Sequence, residues 1–276
     1  MSPAPAQRYL YSGHTVGAAA HFHRLDDLEN LNYAIPTLGA SVLPVTGGLS
    51  RGHASNYAFH VDEPRHRTLL SVRRIDSSAS GREFADRYET EIEADIESIH
   101  LVEKLHIDAV KLHVLSTLHK GQKEPAVSTK GNRIEGMRLG RVAVKVVLDD
   151  EPLHSCGSKA QLAKFHSQKK TLADYWRDHA FRFDTSPETG ELADTHGHHV
   201  FSLVREIHLE GPEDEKQAIT VEGYTIRWKG FGRLILGEVV VKGNNRQVTL
   251  VRLAMGSNAG GSGSVGCGQS NGQVGT

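Results

Sequence analysis

Apolar and polar residues alternate along most of the stretch between residues 88 and 119. Ile92, Ala94 and Ile96 share one parity, and acidic residues occupy the positions between them. Successive side chains of a β-strand point to opposite faces, so this pattern predicts an extended chain with one buried and one solvated face. The sequence is therefore expected to form a β-rich fold.

The parity of the apolar positions changes twice within this stretch. It is even through Ile96, odd from Ile99 to Ile107, and even again from Val110 to Leu118. A slip of one residue would turn a strand inside out unless a bulge or break absorbs it. We therefore predict two or three strand segments with bulges near residues 97–98 and 108–109.

The rest of the chain adds more strands and one different segment. Alternating or β-branched runs predict strands at residues 54–61, 68–75, 133–148, 200–209, 217–228, 232–242 and 247–255. Leu162, Phe165 and Leu172 recur at helical spacing, which predicts a helical insertion at about 158–183. Residues 256–276 are mostly Gly, Ser, Asn and Gln, a composition typical of a flexible tail. We expect one mainly-β domain over 1–255, an antiparallel sandwich or barrel-like pair of sheets.

Charge and hydropathy restrict the partners of such a domain. Lys and Arg total 32 against 33 for Asp and Glu, a net charge of -1. Nucleic-acid affinity comes largely from clustered cations, so no nucleic-acid partner is expected. No stretch approaches the ~18 consecutive apolar residues of a membrane helix, and the N-terminus does not read as a secretory signal. The expected location is the cytoplasm, without a membrane partner.

The order of strands and turns is also informative. An alternating run around residues 98–101 is followed by the segments 131–137, 230–238 and 246–253, and then by the Gly- and Ser-rich end of the chain. In this order the chain resembles a group of uncharacterised bacterial all-β proteins and, more distantly, secreted choice-of-anchor proteins. The resemblance implies a β fold and supplies no activity. The lack of a recognisable signal peptide departs from the secreted relatives.

Histidine offers the sharpest candidate chemistry, with 17 residues in the chain. On a strand, the two imidazoles of a His-x-His pair leave the same face and can share a metal. One such pair has a nearby histidine, and a second cluster lies further along the chain beside Asp194. The candidate ligands of a divalent transition metal are His14, His21, His23, His196, His198 and His199. The alternative is that these histidines are ordinary residues of exposed strands.

The remaining candidates have a structural interpretation beside the functional one. Tyr224, Arg227, Trp228 and Phe231 cluster in one predicted hairpin, where they either pack across strands or form an exposed aromatic platform for a ligand. The histidines of the long alternating run, such as His100 and His113, are interpreted as residues of the solvated sheet face. Their alternative role is a pH-responsive interface. The carboxylates between residues 89 and 97 are assigned to the same solvated face.

Two functional hypotheses follow. The first is a non-catalytic protein that works by binding or self-association, with edge strands pairing into a homo-oligomer. It is favoured because no nucleophile elbow, Walker loop or complete dinucleotide motif is present in the sequence. The second is a histidine-ligated metal-dependent enzyme of cupin-like or hydrolytic type.

Overall fold

The computed structural model describes residues 8–24, 33–62, 66–149, 198–242, 245–255 and 260–274. The predicted helical insertion at 158–183 lies outside these residues. Within them, the helix α1 (Glu213–Lys216) has four residues, and no helix is long and apolar enough to cross a membrane. The strands are β1 (Tyr9–Arg24), β2 (Tyr33–Leu38), β3 (Ser41–Val42), β4 (Gly48–Val61), β5 (Arg67–Glu83), β6 (Arg87–Leu101), β7 (Leu105–His119), β8 (Ala126–Ser128), β9 (Arg133–Glu135), β10 (Met137–Leu139), β11 (Val142–Leu148), β12 (His198–Ser202), β13 (Val204–Glu210), β14 (Ile219–Glu222), β15 (Thr225–Trp228), β16 (Gly232–Lys242), β17 (Asn245–Met255) and β18 (Gly260–Val274).

The strands form two antiparallel sheets that pack face to face, so the predicted mainly-β sandwich is confirmed. The first sheet has the order β14-β15-β16-β17-β18-β1-β2, with β12 paired to β16 and β3 to β1. The second sheet has the order β13-β11-β10-β7-β6-β5-β4, with β8 and β9 paired to β7. One continuous hydrophobic core lies between the sheets. Leu101 and Leu105 are buried in it, as the alternation predicts.

Around Gly17 the two sheets contribute side chains of different size to the core. The second sheet contributes large side chains such as Ile75, Ile92 and Leu112, which are fully buried. Opposite them, the first sheet presents glycine: a Cβ atom added at Gly17 would lie 2.3 Å from Cγ2 of Ile75. Side chains in protein cores are close-packed, so large residues on one sheet require small residues on the other.

This packing explains why the prediction of a flexible tail is wrong for residues 260–274. These residues form β18, a central strand that pairs with β17 on one side and β1 on the other. A Cβ atom added at Gly268 would lie 2.7 Å from Cδ2 of Leu112. Gly268 is thus needed for close approach of the two sheets, whereas composition alone predicts a flexible tail.

The predicted interruptions lie at the expected positions, as facing unpaired residues on β6 and β7 rather than as bulges that shift the register, and they belong to a feature that crosses both sheets. Ser98 and Asp108 are left out of the register between β6 and β7, and the buried parity changes on both strands at this point. In neighbouring strands of both sheets, one residue at the same height along the strands is also left out of the ladder. We call this line of unpaired residues the crease. Residues with positive φ mark the crease on alternate strands: Asn56, Ser98 and Gly136 in the second sheet, and Gly266 and Gly237 in the first.

One side of the sandwich is closed by a strand that changes sheet. The chain runs through β12 in the first sheet and continues after Leu203 as β13 in the second. The backbone N–H of Leu203 donates to Gly237 O at 2.8 Å, and its carbonyl accepts from the N–H of Asp149 at 2.6 Å. Leu203 therefore joins both sheets at the level of the crease.

Candidate metal centre

Three potential metal ligands meet on the outer face of the second sheet. Ile92 on β6 is buried, so the alternation of the strand directs Glu91 and Glu93 to the opposite, outer face. His113 on β7 is the direct cross-strand partner of Glu93. One ligand atom from each of these three residues lies within 4.8 Å of the others, and all three residues are half-buried. We call this group the Glu–Glu–His cluster.

Hydrogen bonds fix the orientation of the imidazole of His113. Its Nδ1 atom lies 2.8 Å from the carbonyl oxygen of Lys130. A carbonyl only accepts, so Nδ1 carries the hydrogen of this bond. The backbone N–H of His113 also donates to Oδ1 of Asn132. Metal-binding histidines usually donate their second ring N–H to a carbonyl or carboxylate in this way.

The Nε2 atom of His113 therefore faces the two carboxylates. It lies 3.2 Å from Oε1 of Glu91. An ionised carboxylate oxygen only accepts, so this contact is favourable when a positive species lies between the two atoms. A proton on Nε2 gives an ion pair, and a metal cation would bind both atoms. One nitrogen and two carboxylate ligands form a donor set suited to a divalent metal such as Zn²⁺ or Mn²⁺.

Two neighbouring side chains contact the other carboxylate oxygens of the cluster. Nη2 of Arg82 lies 3.4 Å from Oε2 of Glu91, and Oγ of Ser78 lies 3.4 Å from Oε2 of Glu93. Ser78 helps to orient Glu93 without adding charge. The positive charge of Arg82 repels a metal cation at the site. The side chain of Arg82 is largely exposed, so solvent weakens this repulsion.

Two of the histidines predicted as ligands on β1, His14 and His21, are not brought to one point. His14 and His21 are both half-buried on the same strand, seven positions apart. At a rise of about 3.3 Å per residue they are roughly 23 Å apart, too far to bind one ion. Burial lowers the pKa of His14 below its ordinary value, which favours the neutral imidazole at this position. The backbone of His23 continues β1, and its side chain lies outside the description.

The second predicted histidine cluster lies on a different part of the first sheet. His196 lies outside the described residues, and His198 and His199 are placed on β12 by their backbone only. Between β12 and β1 lie the strands β16, β17 and β18. Four spacings of about 4.8 Å separate the two strands by roughly 19 Å, so the sheet does not bring the two clusters together.

The aromatic hairpin is part of the core. Tyr224 and Phe231 are buried, and Trp228 packs on Phe231 with ring centroids 4.9 Å apart. Arg227 is exposed, and its Nε donates to Oε2 of Glu222 at 3.0 Å. The arrangement corresponds to cross-strand packing. The alternative of an exposed platform built from these four residues is wrong, because the rings of Tyr224 and Phe231 are inaccessible.

Sequence reasoning did not identify the Glu–Glu–His cluster as a site. The alternation predicts that the carboxylates and His113 lie on a solvated sheet face, which is where they lie. The missing information was the register between β6 and β7, which places Glu93 opposite His113. A tight turn between Leu101 and Leu105, the last and first residues of the two strands, is the signal from which this register follows.

Comparison with known proteins yields a family. Residues 9–242 match the family described as Domain of unknown function (DUF8256). The chain belongs to this family. No curated protein and no solved structure matches the chain. The resemblance to choice-of-anchor proteins stays a prediction, and the function is argued below from the geometry of the site.

Proposed function

We propose that this protein binds a divalent metal cation through Glu91, Glu93 and His113. The observation that supports the proposal is the orientation of His113, whose Nδ1–H is held by the carbonyl of Lys130 while Nε2 faces Glu91. The two carboxylates supply two negative charges, and Glu93 and His113 are fixed relative to each other by the register of two central strands. Rigid strands hold ligands more accurately than loops do.

The proposed role is binding rather than catalysis. Three protein ligands leave coordination positions open, as in catalytic zinc sites, but a metal-dependent hydrolase also needs a cleft that holds the substrate. The cluster lies on the outer face of a sheet. A small cavity between the sheets has an apolar lining that includes Leu70, Ile99 and Leu253, and it does not include any of the three ligands. The histidine-ligated enzyme is therefore the less favoured hypothesis.

Metal titration of the full chain without a histidine tag tests the proposal. After dialysis against a chelator, Mn²⁺ is added and bound metal is measured by calorimetry and by elemental analysis. Mn²⁺ is the chosen probe because it prefers carboxylate oxygen, of which this site has two. We expect one equivalent to bind, and the His113→Ala and Glu93→Gln variants each to lose affinity at least tenfold.

The matched control is His119→Ala, because His119 lies on the same strand and is exposed at its end. This variant is expected to bind Mn²⁺ like the parent. Absence of Mn²⁺ binding at millimolar concentration by the folded parent, or unchanged binding by His113→Ala, would rule the proposal out. Circular dichroism of each variant verifies that the fold is retained.

Self-association is a second candidate function, supported by the edge strand β4. It has 14 residues, and in the described part of the chain its ladder runs along β5 on one side. The other side presents backbone N–H and C=O groups to which a second copy can add by antiparallel pairing. Leu49 near the start of β4 is 55% exposed and would be covered by a second copy paired along this edge.

Light scattering after size exclusion tests this second function. We expect the parent to form a dimer whose population rises with concentration, and Leu49→Lys to shift it to monomer. Ala143→Lys is the control, since Ala143 is exposed on β11, which lies five strands away from β4 in the same sheet. A parent that is monomeric at all concentrations tested would exclude self-association through β4.

A further inference from the structure

A pair of histidines lies at the other end of the β6–β7 hairpin. His100 on β6 and His106 on β7 are direct cross-strand partners near the tight turn that joins the strands. Their Nδ1 atoms are 3.2 Å apart, and their ring centroids are 4.1 Å apart. The Nδ1 atoms of the two imidazoles therefore face each other.

This spacing suits two ligands of one metal ion. Histidine nitrogen binds Zn²⁺ at about 2.0–2.1 Å, and in tetrahedral geometry two such nitrogens are about 3.3 Å apart. The observed Nδ1–Nδ1 distance of 3.2 Å is close to this value. Little rearrangement of the side chains is then needed for a cation to replace the proton that the two nitrogens share.

A carboxylate fixes the tautomer that such a site requires. Oδ1 of Asp108 lies 2.5 Å from Nε2 of His106. The carboxylate accepts, so Nε2 carries the hydrogen and the lone pair of neutral His106 is on Nδ1, facing His100. A carboxylate that holds the far nitrogen of a metal-binding histidine is a common supporting arrangement. On the other ring, Nε2 of His100 lies 3.4 Å from Oγ of Ser98.

We infer that His100 and His106 form a second metal site, which takes a transition-metal cation that prefers imidazole, with Asp108 as a positioning residue. Imidazole nitrogen suits Zn²⁺, Ni²⁺ and Cu²⁺. Water completes the coordination. Glu93 and His100 are seven positions apart on β6, which corresponds to roughly 23 Å at 3.3 Å per residue. The His100–His106 site is therefore separate from the Glu–Glu–His cluster and is independent of the proposed function.

Arg138 is the charged group that opposes this site. It is the cross-strand partner of His106 on β10, and its Nη2 atom lies 3.5 Å from Oδ1 of Asp108. Its positive charge repels a metal cation and competes for the carboxylate that orients His106. Removal of this charge should strengthen metal binding, an effect that a purely structural role of the histidine pair does not explain.

Ni²⁺ titration of the tag-free full chain tests the inference, with calorimetry for affinity and NMR for the site that responds. We expect His106→Ala and His100→Ala to lose binding at this site and Asp108→Asn to weaken it about tenfold, the lower end of the usual effect of a supporting carboxylate. We expect Arg138→Gln to bind several times more tightly than the parent. In the parent, Ni²⁺ should broaden the imidazole signals of His100 and His106.

The His113→Ala variant separates the two sites. It should retain Ni²⁺ binding at the histidine pair even if the Glu–Glu–His cluster is lost or never binds metal. His119→Ala is again the control and should leave the Ni²⁺ affinity unchanged. Folded His100→Ala and His106→Ala variants that bind Ni²⁺ like the parent, or an Arg138→Gln variant without a gain, would overturn the inference.

Discussion

Ser98 and Asp108 lie opposite each other on β6 and β7, and neither takes part in the ladder that joins these strands. The pairing on both sides of them keeps the same register: Glu97 pairs with Ala109 and Ile99 with Ile107. An irregularity on one strand is thus matched by one on its neighbour. Both strands therefore exchange their buried and exposed faces at the same level without a change of register.

The first prediction concerns the backbone of Ser98, whose φ is 54°. β-Branched residues are strongly disfavoured in this left-handed region. We expect Ser98→Val to lower the free energy of unfolding by about 1–2 kcal/mol, and Ser98→Gly to change it by less. Urea denaturation measures both. Ser71→Val is the control: Ser71 lies on the outer face of β5 without positive φ, and the same substitution there should be nearly neutral.

The second prediction compares two glycines of β18. A Cβ atom at Gly268 would lie 2.7 Å from Cδ2 of Leu112, whereas at Gly263 the nearest atom would be 3.5 Å away. Overpacking of a core typically costs about 1–3 kcal/mol, so Gly268→Ala should destabilise by this amount. Gly263→Ala should be neutral or slightly stabilising, because alanine restricts the unfolded chain. Equal melting temperatures for the two variants would contradict the placement of β18 in the core.

The third prediction is a loss of stability in alkali that depends on Tyr11. Burial, with a smaller effect of Glu83, raises the pKa of Tyr11 to about 12. An unfolded tyrosine has a pKa of about 10, so the unfolded state loses its proton first as the pH rises. The stabilisation by neutral Tyr11 is complete below about pH 10 and is lost as the pH rises towards 12.

Urea denaturation at several pH values measures this effect against the Tyr11→Phe variant. The hydroxyl of Tyr11 is buried and has no hydrogen-bond partner among the described residues, so its removal should cost little at neutral pH. Between pH 10 and 12 the parent should lose on the order of 2 kcal/mol more than the variant. Parallel pH profiles would show that Tyr11 is accessible to water.

The fourth prediction concerns the ion pair of Glu238 and Arg252 on β16 and β17. Nη2 of Arg252 donates to Oε2 of Glu238, which is only 4% exposed. Removal of one partner of a fully buried pair typically costs about 3–5 kcal/mol. The side chain of Arg252 is 32% exposed, and solvent there reduces the cost. We expect Glu238→Gln to cost more than about 1 kcal/mol and less than this full range in urea denaturation. The exposed pair of Glu222 and Arg227 is the control, where Glu222→Gln should cost less than about 1 kcal/mol.

A double variant extends this test. Glu238→Leu combined with Arg252→Met removes both charges and should recover much of the lost stability, because replacing a whole buried pair by apolar side chains is often neutral. A double variant no more stable than Glu238→Gln would mean that the pair has further partners that depend on it.

The β architecture and the crease could be predicted from the sequence, for a local reason. Burial imposes a period of two on a strand, so the different parity of Ile96 and Ile99 indicates an interruption of the strand without knowledge of any partner strand. The segment 260–274 could not be predicted in the same way. Glycine is permissive locally, and only the contact of Gly268 with Leu112 on the other sheet shows why the glycine is there.

The candidate sites could not be predicted from the sequence, for a related reason. Each of the three pairs that define them joins residues from different strands: Glu93 with His113, His100 with His106, and His106 with Arg138. The type of each residue is visible in the sequence, but its neighbour is set by strand register. Two of these three pairs, Glu93 with His113 and His100 with His106, follow from the turn between β6 and β7. Recognition of this one hairpin is therefore enough to place the ligands of both candidate sites opposite each other.

The passage of the chain through Leu203 has a mechanical consequence. On that side the backbone of one residue is hydrogen-bonded to both sheets. The sheets cannot separate there unless these main-chain hydrogen bonds break. On the far side, β2 and β4 meet partly through side chains, with the rings of Tyr33 and Phe59 5.4 Å apart. We therefore expect the two sheets to separate first at the β2–β4 margin, because on the side of Leu203 main-chain hydrogen bonds join one residue to both sheets.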